Sequence, residues 1–214
     1  MFIEQIAYKI SGKSRAKKWQ QFLDIIQPLP HEKIIDVGVN TTEYSEGDNY
    51  LENHYTYPEN ITAVGIGSDF EVLKKKYPKV SFVSGDGKTL PFPNQSFDIV
   101  YSNAVIEHVG DYPDQLAFMK ELVRVGKRGY LTTPNRLFPI EVHTRIPLFH
   151  ILLPKTAFDW LLYRIGKGWA VGDYMHLLSK QDIRGLLTKT PVQAEIIANR
   201  FFGVPMTYTV TWKK

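Results

Sequence analysis

Residues 83–109, VSGDGKTLPFPNQSFDIVYSNAVIEHV, hold the densest group of side chains able to do chemistry. An apolar run ends in Gly85-Asp86-Gly87, so a carboxylate stands where a strand gives out, between two glycines. A carboxylate there can accept a hydrogen bond from an exocyclic amine such as that of adenine, and glycine lets backbone approach a flat ring. The same Asp can instead close an Asx-turn. A further strand ends in Ser102-Asn103, and AVIEHV carries the chain on to His108. A second stretch, KIIDVG at 33–38, begins like a nucleotide-binding strand and ends in Asp36 and Gly38. The dinucleotide pattern G-x-G-x-x-G would start at Gly38, but Asn40 and Glu43 stand at its other glycine positions, which removes a dehydrogenase loop.

His108, His143 and His176 are the candidate bases, although a lone His is more often structural. No pair of them has the H-E-x-x-H spacing, and no carboxylate cluster resembles a calcium loop, so no metal is expected. Serine-hydrolase elbows and phosphate-binding P-loops are also missing from the sequence.

The elements that must position these residues alternate. KIIDVG, ITAVGI, VSFVSG, SFDIVYSN and GYLTTP read as strands, with helical patterns at DNYLENHY, DFEVLKKKY and PDQLAFMKELVRV between them. This alternation predicts an α/β fold with a mostly parallel sheet and helices on both faces. SKQDIRGLLTK predicts a helix capped by Ser179 with Asp182 three residues on. AEIIANRFF and MTYTVTW, separated only by GVP, must pair antiparallel, because a parallel crossover needs a dozen or more residues. SRAKKWQQFLDII predicts a first helix over about 14–27, capped by Ser14, with Trp19, Phe22, Leu23 and Ile26 on one face. The stretch at about 134–175, rich in Pro, Phe, Trp, Leu and His, falls at the carboxyl edge of the sheet, where such folds bind ligands. It reads as a lid-like insert or as a helical pair that covers core.

The chain has 214 residues, 43% hydrophobic and 22% charged, which suits one soluble domain over 1–214. It has no cysteine, so disulfides and thiolate metal sites are excluded and the cytoplasm is the default compartment. The net charge of +4 sits in residues 1–20, where Lys9, Lys13, Arg15, Lys17 and Lys18 face Glu4 alone. A local patch of this kind argues against a nucleic-acid partner. It reads as a solvated helix face or as docking to an anionic membrane or phosphate-bearing substrate. IPLFHILLPKTAFDWLLYRIG could be core or lid, or an interfacial helix for a lipid-linked substrate, which would bring peripheral contact with the inner face of the membrane.

In order along the chain, IIDVGVN, GDGKTLPFPNQSFDIVYSNAVIEHV and VGKRGYLTTPN resemble the motifs of class I S-adenosylmethionine-dependent methyltransferases of the methyltransferase type 11 kind, over about residues 30–137. TPNRLFPIEVHTRIPLFHILLP also resembles methyltransferases associated with cell-surface polysaccharide synthesis. The resemblance implies a Rossmann-like seven-stranded sheet, with the terminal hairpin as that family's reversed last strand, and S-adenosylmethionine as cofactor. It implies that Asp36, Gly38 and Val39 stand beside the cofactor's methionine part, and that Gly65 and Ile66 line it at the end of the second strand. Asp86 would accept from adenine N6, with backbone contacts from Gly87 and Lys88. Ser102, Asn103 and Ala104 would form the floor near the sulfonium. His108 would lie near the cofactor or the acceptor. Because it follows the strand that ends in Ser102-Asn103 it is the favoured catalytic base, and His143, Arg145, Tyr174 and His176, which flank the insert, could line the pocket of a small-molecule or glycan acceptor, methylated on oxygen.

Two positions depart from the family pattern. Its second glycine is Asn40 here, and its ribose-binding acid aligns with Gly65. Asp69 could substitute if the loop folds back, and Tyr44, Asn49 and Tyr50 are candidates for the missing contacts. These departures keep open a non-catalytic binding protein on the same fold.

Overall fold

The predicted runs suit strands buried on both faces, which need apolar residues at successive positions, except that SFVS at the sheet edge stays half-exposed. They form β1 (Ile34–Val37), β2 (Ile61–Gly65), β3 (Ser81–Ser84), β4 (Phe97–Asn103) and β5 (Gly126–Pro134), all parallel, in the computed structural model. It describes residues 2–43, 48–67 and 69–214, with side chains from residue 12 onward. β6 (Gln193–Phe201) and β7 (Val204–Lys213) form the expected hairpin, with β7 antiparallel to β5. The hairpin turns on Phe202 and Gly203, both at positive φ (45° and 81°), the backbone that matches the twist of tightly joined strands. The strand order is β3-β2-β1-β4-β5-β7-β6, the Rossmann-like sheet of the sequence expectation.

Successive side chains on a strand point to opposite faces. Ile35 and Val37 of β1 therefore enter one core with Val64, Val100 and Leu131, closed by Phe118, Met119 and Leu122 of α4 (Tyr112–Val125) and by Ile183 and Leu186 of α7 (Lys180–Leu187). Ile34, Ile61 and Ile99 enter the other, closed by Phe22 and Ile26 of α1 (Phe2–Ile26), Leu51 of α2 (Tyr50–His54) and Leu73 of α3 (Glu71–Lys76). The α7 cap is as the sequence predicts, a reciprocal box in which Ser179 and Asp182 bond each other's backbone N–H.

The first helix departs from its predicted bounds. It starts at Phe2 rather than near Ser14, so Ser14 lies inside it and caps nothing. Gly12 does not break it, because a glycine inside a helix costs only about 1 kcal/mol. The helix ends as Gln27 turns left-handed (φ 49°) just before Pro28.

The 134–175 stretch holds α5 (Phe149–Leu152), α6 (Lys155–Arg164) and 3-10 turns around a small core of Ile146, Phe158, Leu162 and Ala170. Its start is tied to the main domain by the Arg136 N–H donating to Leu178 O at 2.9 Å.

At Gly129 in β5 the ring of Trp212 on β7 lies where a side chain would be, 2.1 Å from a Cβ placed there. Gly129→Ala should therefore destabilise the fold by about 1–3 kcal/mol through overpacking. Urea unfolding should show a lower midpoint with an unchanged slope.

Candidate active site

The sheet order reverses between β1 and β4, and the crevice outside their carboxyl ends is where open α/β sheets take ligands. A cleft of about 1120 Å³ lies there. Among the predicted residues it is lined by Gly38, Val39, Gly65, Ile66, Asp86, Gly87, Asn103, Ala104, His108, His143, Arg145 and Tyr174.

Two glycines shape one wall of the cleft. Gly38 has φ 113°, and a Cβ there would stand 2.2 Å from Val105 Cγ2. At Gly87 a Cβ would stand 2.4 Å from Phe118 Cε2. Both turns therefore bring bare backbone to the cleft. Asp86 does both things its sequence allows. Its Oδ1 accepts from Lys88 N at 2.9 Å, closing an Asx-type turn, while the half-exposed carboxylate still lines the cleft. Ala104 is held at φ 59°, a left-handed conformation unusual for alanine, by its N–H donating to Thr132 O at 2.9 Å.

Three predicted site residues do not line the cleft. Ser102 is fully buried, and its hydroxyl donates to Val37 O at 2.8 Å, tying β4 to β1. Asp36 points to the opposite face of β1 from Val37 and meets Glu52 of α2. Burial raises the pKa of Asp36 well above the usual carboxylate range, and the Glu52 carboxyl adds to it. Burial raises Glu52 as well, and neither Glu52 oxygen has a conventional donor, so the pair is satisfied when it holds a proton. His176 lies outside the cleft; its backbone N–H donates to Glu107 O at 2.7 Å, and its ring stands 3.3 Å from Asp173.

The departures at Asn40 and Gly65 are linked through the same loop. A Cβ at Gly65 would stand 2.5 Å from the main-chain oxygen of Val39, so the loop after β1 occupies the place of the family's acid. Asp69 does not fold back; its Oδ1 accepts from Glu71 N at 3.0 Å at the start of α3. Asn49 lines the cleft, but its side chain braces the loop, donating to Asn40 O and accepting from Asn40 N, each at 2.9 Å. Tyr50 stacks on His54 at 3.9 Å between ring centroids instead of facing the cleft. Tyr44 lies outside the described residues. Asp48, which the sequence reading passed over, does line the cleft, 3.6 Å from Arg15.

The sequence reading also missed Lys18. Ser14, Arg15 and Lys18 form a cleft wall, and Lys18 is buried, donating to Asn103 Oδ1 at 2.8 Å. Burial, with the charge of Arg15, lowers its pKa to about 8 against the pull of Glu107. Its spacing to Phe22 and Ile26, four and eight residues on, was the available signal, because those residues mark the buried helix face.

On the opposite wall, the insert brings His143 and Tyr174 beside His108, with ring centroids 5.0 and 5.1 Å from the His108 ring. Burial disfavours a charge on His143, but Glu141, 2.8 Å from its Nδ1, outweighs this and raises its pKa.

With this geometry in view, comparison with known proteins is specific. Residues 35–132 match the family model described as a methyltransferase domain. The bare glycine turns and the Asp86 carboxylate at the cleft are chemistry that suits a nucleoside-bearing group such as S-adenosylmethionine. The chain is 26% identical over 160 residues to phosphoethanolamine N-methyltransferase of Triticum aestivum, covering 63% of this chain and 30% of that one. It is 27% identical over 121 residues to demethylmenaquinone methyltransferase of Renibacterium salmoninarum, covering 56% and 48%. This chain thus spans half or less of the length of these curated relatives. In fold, it is similar to magnesium protoporphyrin IX methyltransferase of Synechocystis PCC 6803 with bound SAH, with TM-score 0.60 and 13% identity over 98% of this chain and 86% of that one. A SAM-dependent methyltransferase of Methanosarcina mazei gives TM-score 0.56 at 18% identity, over 88% and 96%.

The carboxyl pair behind β1 predicts a pH signature. Both folded-state pKa values lie above the unfolded ones, so the folded chain binds more protons, and stability falls as pH rises from about 4 through the folded values. Glu52→Gln removes one of these titrations. Its stability relative to wild type should grow between pH 5 and pH 8 in paired urea melts, and a constant difference would refute the shared-proton arrangement.

Proposed function

We propose that the protein transfers a methyl group from S-adenosylmethionine to a hydroxyl of a small molecule or glycan. The observation that carries this reading is one cleft with two unlike walls, bare backbone and Asp86 on one side and His108, His143, Arg145 and Tyr174 on the other. When bound, S-adenosylmethionine supplies a methyl group already activated on a sulfonium. Asp86 accepts from the adenine amine, the turns at Gly38 and Gly87 admit the cofactor, and Asp48 receives the ribose hydroxyls in place of the missing acid. Asn103 and Ala104 form the floor where methyl and acceptor meet, and Lys18 fixes Asn103 from below. His108 activates the acceptor through Nε2, since its Nδ1 is engaged with Tyr174 O at 2.8 Å. Residues 134–175 act as a lid that excludes water from that meeting point.

Among the described residues, no helix is long and apolar enough to cross a membrane. The same insert exposes Leu152, Trp160, Tyr163 and Trp169, with Lys155, Arg164 and Lys167 interspersed. That mixture of aromatic and basic side chains supports a lipid-linked glycan acceptor met in the cytoplasm at a membrane surface.

Calorimetric titration with S-adenosylmethionine tests the site. Wild type should bind, and Asp86→Ala should lose about ten- to a hundredfold in affinity, as expected for a hydrogen bond to a charged group. Asp86→Asn can keep the turn but not the charge, and should fall between them. Transfer of labelled methyl to lipid-linked or free glycans then tests the acceptor, and binding without transfer to any acceptor would leave a non-catalytic binding protein.

A further inference from the structure

Glu107, His108 and His143 turn three donor atoms toward one another, all within 4.8 Å of each other. Glu107 is fully buried. Its Oε2 accepts from Thr133 Oγ1 at 3.0 Å, but its Oε1, equally buried, has no donor. A buried carboxylate oxygen left without a partner is costly, so the site calls for a cation or a proton donor.

The two imidazoles are set up to supply lone pairs rather than protons. His108 Nδ1 is 2.8 Å from Tyr174 O, which can only accept, so Nδ1 carries the proton and Nε2 of the neutral ring holds the lone pair. His143 Nδ1 is 2.8 Å from Glu141 Oε1, and Glu141 is itself fixed by bonds from Thr144 N–H and Oγ1. A carboxylate behind the far nitrogen of an imidazole is the arrangement that orients metal-binding histidines and raises their basicity.

We infer that Glu107 Oε1, His108 Nε2 and His143 Nε2 bind a divalent transition-metal cation at the acceptor side of the cleft. Two imidazoles and one carboxylate suit manganese, iron, cobalt or zinc rather than magnesium or calcium, which prefer all-oxygen sites. Ligands with bonds of about 2.1 Å stand roughly 3–3.5 Å apart, so donor atoms within 4.8 Å of one another need to close by up to about 1.5–2 Å. Three protein ligands leave coordination positions open, and both imidazoles line the cleft, so an oxygen of the acceptor can complete the sphere. This rests on the methyl-transfer reading and deepens it: the cation would be the means by which His108 activates the acceptor. The expectation of no metal came from spacings along the chain, whereas these ligands come from two distant segments that meet only in the fold.

Cobalt(II) chloride titrated into the chelator-treated full chain, followed by heat and by visible d–d absorption, tests the site. One cation per chain is expected, with bands of a mixed nitrogen and oxygen environment. His143→Ala and Glu107→Gln should each weaken uptake at least tenfold. Glu141→Gln, which touches no cation, should weaken it about 10–100-fold. Retained S-adenosylmethionine binding shows that each variant is folded, and His143→Ala covers the case in which the buried Glu107 variant is not. Absence of cobalt uptake by wild type, or equal uptake by folded His143→Ala, overturns the inference. Cobalt uptake without methyl transfer to any acceptor would remove the functional reading and keep the site. Methyl transfer in a chain that takes up no cobalt would do the reverse.

Discussion

The contact between Gly38 and Val105 fixes the distance between the ends of β1 and β4. Val105 Cγ2 lies so close that the position tolerates no side chain, and the backbone there has the positive φ that favours glycine. One loop carries the glycine wall of the cleft and the other leads to His108, so their separation sets how far apart those two walls stand. The left-handed Ala104 beside it, and the Ser102 hydroxyl bond to Val37 O just beneath, hold the same junction from the β4 side. The rest of the cleft hangs from this joint.

Under that joint lie several buried ionisable groups. Lys18 reaches in from the first helix to Asn103, the Asp36 and Glu52 carboxyls face each other behind β1, and Glu107 stands behind the histidines. Each costs more to bury than an apolar side chain of its size. The main cores on either face of the sheet, filled by residues such as Phe22, Tyr130, Phe118 and Leu122, supply the apolar burial that offsets this. Polar groups concentrated under one crevice, with apolar packing elsewhere, are what a site for charge-handling chemistry requires.

The sheet was legible in the sequence because burial on both faces leaves a continuous apolar trace, and the tight joint at Gly203 forces the last pair antiparallel. Gly38, Asp86 and Asn103 were legible through the motifs that resemble a known family, and all three line the cleft. What escaped was whatever depended on the third dimension. Lys18 sits among surface-like charges in the sequence and is buried only because β4 and β5 run beneath its helix. Asp36 and Ser102 belong to the right motifs, but strand alternation turns Asp36 to the far face of the sheet, and a bond to Val37 takes the Ser102 hydroxyl. Asp69 lies near enough in sequence to stand in for the missing acid, yet its carboxylate is committed to the first turn of the next helix.

The carbonyl of Val39 over Gly65 limits what the end of β2 can carry. A side chain at the end of β2 and a loop laid across that end are mutually exclusive, because both need the same volume. An acidic side chain at the end of β2 could therefore be accommodated only together with a rearranged loop after β1, so the two positions can change only as a unit.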